Sequence, residues 1–288
     1  MKKRVLVKVS VIIPTYKDLE ALELILKALK EQTYTNFEVI IAEDDNAKNT
    51  KEFLQSIQTN YSIKHYYQDD KGWRKAKAVN GAIKLAEGEY LIFFDGDCIP
   101  FSTFVEAHVV LSHKNNVLCG RRVNTGDGLT TSLRKRSITI SDIENNFLSF
   151  WSKFKKDKAR HIEQGLYLFP KSSFYKFIIK FLDKKKRLVG CNFSVHKSNM
   201  LKINGFDESY PSGDVADDVD VEWRLNAIGV NNKSCKYAAN LVHLNHTRQD
   251  RREAHKANYA LMLKKRTKKL FFCSQGIKKE TVECTNNK

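Results

Sequence analysis

The sequence has no C-x-x-C pair: its six cysteines stand at 98, 119, 191, 235, 273 and 284. That spacing gives no support to a paired-thiol zinc site or a thioredoxin-like motif, and the thiols read as buried or incidental groups of a reduced, cytosolic protein. No apolar run approaches the roughly 20 residues that span a bilayer, so any membrane contact is expected to be peripheral. The opening Met1-Lys2-Lys3-Arg4 is basic, but the apolar run after it is short, broken by Lys8 and without a small-residue cleavage site. It does not read as a signal peptide. No internal repeat is visible. Acidic residues are scarce, 33 Asp and Glu against 50 Lys and Arg, for a formal net charge of +17. Such an excess calls for an anionic partner (nucleic acid, a membrane surface or phosphorylated small molecules) or else only keeps the surface soluble. No nucleic-acid-binding motif accompanies it, so no specific nucleic acid is expected.

What is present describes a folded α/β chain. The 288 residues are 42% hydrophobic and 29% charged, a globular balance with enough length to bury a substantial core. Val5 to Pro14 is β-branched and closes in Pro14-Thr15-Tyr16, a strand followed by a turn. Leu19 to Gln32 sets Leu22, Leu26 and Leu29 on one helical stripe. A strand is expected at Phe37 to Ala42, a helix at Thr50 to Ile57 and a short strand at Ile63 to Tyr67. The next helix, Lys75 to Ala86, would turn Ala76, Val79, Ala82, Ile83 and Ala86 inward. Tyr90 to Phe94 carries no charge and reads as a central strand covered on both faces. Strands alternating with helices predict right-handed crossovers and a mostly parallel sheet with helices on both faces.

Carboxylates gather where these strands end. Asp95 and Asp97 flank Gly96 after the central strand, and Glu43-Asp44-Asp45-Asn46 closes the second one. In an open α/β sheet both groups face one crevice, where ligands bind. Close acids repel unless a cation joins them, which makes a divalent metal a candidate beside the plain alternative of a solvated acidic turn. Lys71-Gly72-Trp73-Arg74-Lys75-Ala76-Lys77 brings basic residues to a helix start, where the dipole disfavours them unless an anion is near. It reads as a phosphate cradle or as a solvated basic turn.

The middle, Ser112 to Lys186, carries Arg121-Arg122, Arg134-Lys135-Arg136, aromatics from Phe147 to Phe154 and an amphipathic helix at Phe169 to Leu182. It is read as an insertion over the crevice that helps to hold a second substrate. Gly190 to Val195 is a strand or turn, Ser198 to Ile203 a short helix closed by Asn204-Gly205-Phe206-Asp207, with Gly205 suited to a left-handed cap. Asp217 and Asp218 then open a helix whose Val219, Trp223 and Ala227 would face the core. His243 and His246 end a probable strand from Leu241 to Asn245; they are either ligands for Mn²⁺ or a similar ion, or exposed loop residues. Arg248 to Lys269 is a basic helix, placed either on an acidic membrane surface or across the domain. The chain thus divides into 1–125, an insertion 126–187, a second half 188–250 and a basic tail 251–288.

Val9 to Tyr16, Glu43-Asp44-Asp45, Gly72-Trp73-Arg74 to Asn80 and Phe94-Asp95-Gly96-Asp97 together resemble an inverting family 2 glycosyltransferase of GT-A fold. Gly190 to Ser194, Ile203 to Asp207, Asp217-Asp218 and Arg224-Leu225 are similar to the galactosyltransferase-type module of bacterial chondroitin polymerases, β-1,4-galactosyltransferases and polypeptide GalNAc-transferases. The resemblance covers roughly residues 9–125 and 188–250. It implies that Pro14, Thr15, Tyr16 and Asp44 line a uridine site, with Asp45 the one-residue alternate. Arg74 and Lys77 would approach donor phosphates or ribose, and Asp95, with Gly96, ribose or metal. Asp97 and one or both of His243 and His246 would ligate Mn²⁺ or Mg²⁺. Asp218 would be the catalytic base and Asp217 an acceptor contact. Relatives carry Trp-Gly-x-Glu-Asp where this chain has Asp214-Val215-Ala216-Asp217-Asp218, so the usual aromatic platform for the acceptor is missing.

The resemblance implies transfer of a hexose or N-acetylhexosamine from a UDP-sugar to a glycan or glycolipid hydroxyl, in lipopolysaccharide or capsule synthesis at the inner face of the plasma membrane. Two rivals of other classes remain: a basic nucleic-acid-binding protein, and a sugar nucleotidyltransferase, which also uses strand-end acids with a metal. Neither rival explains the block from Asn204 to Asp218.

Overall fold

Val9–Thr15 and Phe37–Glu43 are rich in β-branched residues and buried at all but one position. That is the pattern of strands covered on both faces. In a computed structural model, which describes residues 6–182, 186–211, 218–247, 250 and 252–279, these become β1 and β2. The first half runs β1 Val9–Thr15, α1 Leu19–Lys30, β2 Phe37–Glu43, α2 Lys48–Ser56, β3 Ser62–Tyr67, α3 Lys75–Leu85 and β4 Tyr90–Phe93. Then come β5 Cys98–Pro100, α4 Phe104–Leu111, β6 Asn116–Cys119, β7 Val123–Asn124, α5 Asp127–Arg134, α6 Ile140–Asn145, α7 Phe147–Lys156 and α8 Ser173–Leu182. The chain continues with β8 Phe193–His196, α9 Lys197–Lys202, α10 Val219–Ala227, β9 Asn231–Ser234, β10 Leu241–His243 and α11 Arg252–Thr267.

The main sheet has the order β3-β2-β1-β4-β8-β6-β9. Its first four strands are parallel, and β8 runs antiparallel between β4 and β6. The mostly parallel α/β sheet expected from the alternation is the one observed. Alternation along β1 feeds two cores. Val9, Val11 and Ile13 pack with Leu22, Ile25, Leu26 and Leu29 of α1 on one face. Ile12 joins Leu91, Phe93 and the Ala78, Val79, Ala82 and Ile83 row of α3 on the other. The register Val9↔Phe37 and Val9↔Tyr90 aligns the carboxyl ends of β1, β2 and β4 along one edge.

A second sheet, β5-β10-β7, sits beyond β4. Its central strand pairs antiparallel with β5 and parallel with β7, with His243 opposite Cys98 and Asn124.

Several boundaries differ from expectation. Within the described residues β1 starts at Val9 and runs on to Thr15, and α2 starts two residues before Thr50. The expected inward stripe of α10 is corrected: Ala227 is exposed, while Asp220, Val221, Trp223, Arg224 and Leu225 are buried. An ion pair occupies that core face. Arg224 Nε donates to Asp220 Oδ2 at 2.6 Å, and Arg224 Nη1 donates to the carbonyls of Ile203 and Gly205 at 2.8 Å each. Tyr210 Oη and Trp223 Nε1 donate to the other oxygen of Asp220 at 2.8 and 2.9 Å, so both carboxylate oxygens are paired, while Arg224 Nη2 is buried without a hydrogen-bond partner among the described residues.

The same cluster explains the segment from Ile203 to Asp207. Asn80 of α3 donates to the Phe206 carbonyl and accepts from the Phe206 N–H, both at 2.8 Å. Gly205 has φ +74, and a Cβ there would lie 2.4 Å from Asn80 Oδ1, so only glycine fits. The chain beyond α11 folds back on this segment, where Asn204 Nδ2 donates to the carbonyls of Cys273 and Lys278 at 2.6 and 2.8 Å. α11 itself docks through Met262, packed with Tyr210 and Trp223, and through Lys265, whose Nζ is 2.5 Å from Asp207 Oδ2. Among the described residues no helix is long and apolar enough to cross a membrane. The five described cysteines are buried, and none is joined in a disulfide among the described residues; Cys284 lies outside the described residues.

Candidate active site

Three parallel strands deliver Pro14-Thr15-Tyr16, Glu43-Asp44-Asp45 and Phe94-Asp95-Gly96-Asp97 to one edge. Backbone contacts fix their spacing. The Asp44 N–H donates to the Thr15 carbonyl at 3.1 Å. A Cβ on Gly96 would lie 2.2 Å from the Pro14 carbonyl oxygen, so the residue between the two aspartates has no room for a side chain. Asp44 is buried and accepts from Gln68 Nε2 and from the Arg74 N–H, each at 2.6 Å. Burial pushes its carboxyl above the ordinary value, and these two hydrogen bonds only partly offset the rise. Asp45 is half-buried and accepts from the Asn46 N–H at 2.7 Å. Tyr16 is exposed, and its hydroxyl donates to Asp70 at 3.1 Å. Glu43 turns aside to pair with His65 at 2.8 Å.

The basic start of α3 finds its anions within the protein. Arg74 presents its N–H to Asp44, and the Lys75 ammonium lies 2.8 Å from Asp95 Oδ1. Arg122, just before β7, approaches Asp95 Oδ2 at 3.5 Å. Asp95 is thus held between two cations at the strand edge. The Arg74 guanidinium donates to the Asp69 carbonyl, and Lys77 lies half-buried in the first turn of α3. A narrow cleft lined by Pro14, Lys75, Phe94, Gly190 and Phe206 joins this edge to the later part of the chain.

Asp97 belongs to a second group. His243 Nε2 lies 3.2 Å and His246 Nε2 3.3 Å from Asp97 Oδ2. One ligand atom from each of the three falls within 4.8 Å of the others. The β5–β10 register makes this meeting, and the Leu244 N–H, which donates to the Asp97 carbonyl at 2.9 Å, locks it. Asn245 ties the histidine loop to the middle region, its N–H donating to Thr130 Oγ1 and its amide to Asp127, both at 2.7 Å. His243 is buried and His246 half-exposed, so one ring is fixed by packing and the other faces the opening. Burial raises the Asp97 carboxyl, but the two imidazoles more than reverse this and hold it far below the usual carboxylate range. The His243 Nδ1 is buried without a hydrogen-bond partner among the described residues, which leaves Nε2 as the atom through which this ring meets a ligand. A carboxylate oxygen with two imidazole nitrogens fits Mn²⁺ or a similar divalent ion. The alternative cluster of Asp95, Asp97 and Cys98 is a poorer set, because burial keeps the Cys98 thiol protonated.

Asp218 lies elsewhere, at the start of α10, where its side chain accepts from the Val219 N–H at 2.6 Å. It is half-buried, two residues from the buried Asp220. Asp217 lies outside the described residues. The structure therefore gathers Pro14, Thr15, Tyr16, Asp44, Arg74, Asp95 and Gly96 at one edge, sets Asp97, His243 and His246 beside it, and carries Asp218 on a separate helix. Lys75 and Arg122 are the additions. Lys75 was one of four cations in its segment, and Arg122 reaches Asp95 only through the fold.

The mostly parallel sheet with helices on both faces matches the fold of GT-A glycosyltransferases. The chain belongs to glycosyl transferase family 2, whose model matches residues 10–186. Over 106 residues it is 33% identical to validoxylamine A glucosyltransferase of Streptomyces hygroscopicus subsp. jinggangensis, covering 36% of this chain and 25% of that protein. Over 111 residues it is 27% identical to chondroitin synthase of Escherichia coli, covering 38% of this chain and 16% of that protein. The matches thus span a quarter or less of those relatives. Among solved structures, mannosyltransferase PcManGT from Pyrobaculum calidifontis, in complex with GDP-Man and Mn²⁺, aligns with a TM-score of 0.57 at 15% identity. That alignment covers 91% of this chain and 64% of that one. S. aureus TarS 1-349 in complex with UDP-GlcNAc aligns at 0.54 with 16% identity, over 84% and 60% of the two chains. At these identities the likeness is one of fold.

Proposed function

We propose that this chain transfers a hexose or N-acetylhexosamine from a UDP-sugar to a hydroxyl of a glycan or glycolipid, with inversion and with a divalent metal. The observation that carries the reading is the meeting of Asp97 with His243 and His246, at 3.2 and 3.3 Å, beside the strand edge that holds Asp44 and Asp95. Fold neighbours bound to UDP-GlcNAc and to GDP-Man with Mn²⁺ support it. Residues 1–125 would hold the nucleotide and 188–250 the acceptor and base, with 126–187 an insertion beside the site and 251–288 a basic tail. The setting would be lipopolysaccharide or capsule synthesis at the inner membrane face.

In this reading Thr15, Tyr16 and Asp44 contact the uridine, with Asp45 the alternate. Pro14 and Gly96 bring two strand ends close enough to close one side of the pocket. Arg74 and Lys77 approach the diphosphate. Asp95 contacts ribose while its partners Lys75 and Arg122 add positive charge at the same edge. Asp97, His243 and His246 would hold Mn²⁺ or Mg²⁺, which supplies positive charge against the departing diphosphate. Asp217 contacts the acceptor. Asp218 takes the proton of the acceptor hydroxyl as that oxygen bonds to the anomeric carbon from the face opposite the UDP. The glycosidic C–O bond to UDP breaks, and its electron pair leaves on the phosphate oxygen. One displacement with one base inverts the anomeric centre.

A panel of nucleotide sugars with Mn²⁺, scored by thermal stabilisation and by nucleotide release, tests this. A UDP-sugar that stabilises the protein and releases UDP is expected. In a parallel assay with UTP and a sugar 1-phosphate, release of pyrophosphate with formation of the nucleotide sugar would make it a nucleotidyltransferase. Salt-sensitive binding of generic DNA or RNA with no nucleotide effect would make it a nucleic-acid-binding protein.

A further inference from the structure

Helix α8 buries almost none of its aromatic content. Tyr175 is its buried residue, its hydroxyl donating to the Ser234 carbonyl at 3.3 Å, and Ile179 packs partly on the core. Phe174, Phe177 and Phe181 are 60%, 58% and 55% exposed. At 3.6 residues per turn these three stack on one face, turned away from Tyr175. Phe177 and Phe181 touch each other, with ring centroids 4.6 Å apart, and leave their outer faces to solvent. Phe169, just before the helix, is likewise exposed. A stripe of phenylalanines costs solubility and calls for something to cover it.

The charges beside the stripe say what that is. Lys176 and Lys180 are exposed on the helix flank, Lys171 precedes it, and the sequence after it runs Asp183-Lys184-Lys185-Lys186-Arg187. Among the described residues α8 itself carries no acidic side chain. An apolar face bordered by cations is the arrangement of a helix that lies in a lipid headgroup layer, rings in the acyl boundary and ammonium groups at the phosphates. The basic helix α11 suits this less well, since Met262 and Lys265 already tie it to the protein.

We propose that α8 is the docking surface of this protein for an anionic phospholipid bilayer, with Phe174, Phe177 and Phe181 inserted and Lys176 and Lys180 at the headgroups. This rests on the proposed location at a membrane face and not on the proposed reaction; vesicle binding and sugar transfer are measured separately, so either can fail alone.

The test is sedimentation of the full chain with phosphatidylcholine vesicles, with and without phosphatidylglycerol, at low and high salt. Binding is expected only to the anionic vesicles and is weakened by salt. Phe174→Ser/Phe177→Ser/Phe181→Ser should lower the partition about tenfold or more without lowering the melting temperature. Should that variant fail to fold, Lys176→Glu/Lys180→Glu should show the same loss, and Phe177→Trp should add a blue-shifted emission with anionic vesicles. The proposal is overturned if the wild-type chain stays in solution, or if the triple variant binds as the wild type does. It is also overturned if the wild type is a dimer that the triple variant turns into a monomer, since a second copy would then cover the stripe.

Discussion

Asp97 and His243 stand half the chain apart in sequence, yet their side chains meet at 3.2 Å because β10 pairs with β5 so that His243 lies opposite Cys98. His246 reaches the same carboxylate oxygen from the following loop at 3.3 Å. A short three-stranded sheet thus brings the end of the sequence to the carboxyl edge of the main one.

Asp218→Asn should lower sugar transfer by about 10²–10⁴, the usual range for a lost general base, and leave UDP binding unchanged. Steady-state kinetics with a UDP titration on the same variant checks this. Near-normal turnover would remove Asp218 from the base role.

Gly96→Ala should be destabilising and should weaken nucleotide binding. Its methyl would meet the Pro14 carbonyl at 2.2 Å, and backbone on both sides would have to part. The expected cost is about 1–3 kcal/mol in denaturant unfolding, the usual range for overpacking.

Arg224→Met leaves Asp220 charged and buried without its partner, and it frees the carbonyls of Ile203 and Gly205. A loss of about 3–5 kcal/mol is expected. Adding Asp220→Asn should recover part of it, which a double-mutant cycle by chemical denaturation would read.

Stability should fall with acid in a window set in part by His108. Its ring is fully buried between Ser194 and Asn192, and burial pushes its pKa down to about 3. The unfolded ring, with an ordinary pKa near 6.5, takes up a proton that the folded one does not. The contribution is therefore complete above about pH 6.5 and is lost at about 1.4 kcal/mol per pH unit as pH falls toward the folded value. Denaturant melts across that range should show the slope, and His108→Gln should flatten it.

Strand ends were readable from the sequence because β1, β2 and β4 are short apolar runs closed by turn residues and carboxylates. In a parallel sheet, that alone puts Asp44, Asp95 and Asp97 on one edge. Of the residues expected to face inward on α10, Trp223 is buried and Ala227 is not; the buried Arg224 on that face shows only once its acceptors, the Ile203 and Gly205 carbonyls, are in place. The grip of Lys75 and Arg122 on Asp95 was hidden for a related reason: Lys75 stands among other cations in its segment, Arg122 lies 27 residues from Asp95, and only the fold selects the partner. His243 and His246 could be named as a pair, but that one would be buried and the other half-exposed depended on where β10 ends.

The proposed metal site at Asp97, His243 and His246 is tested most directly by Mn²⁺ binding, followed by electron paramagnetic resonance on the wild-type chain and on Asp97→Ala and His243→Ala. One Mn²⁺ per chain is predicted, with binding tightened by UDP and weakened at least about tenfold in each variant. Equal Mn²⁺ binding in wild type and Asp97→Ala would contradict it.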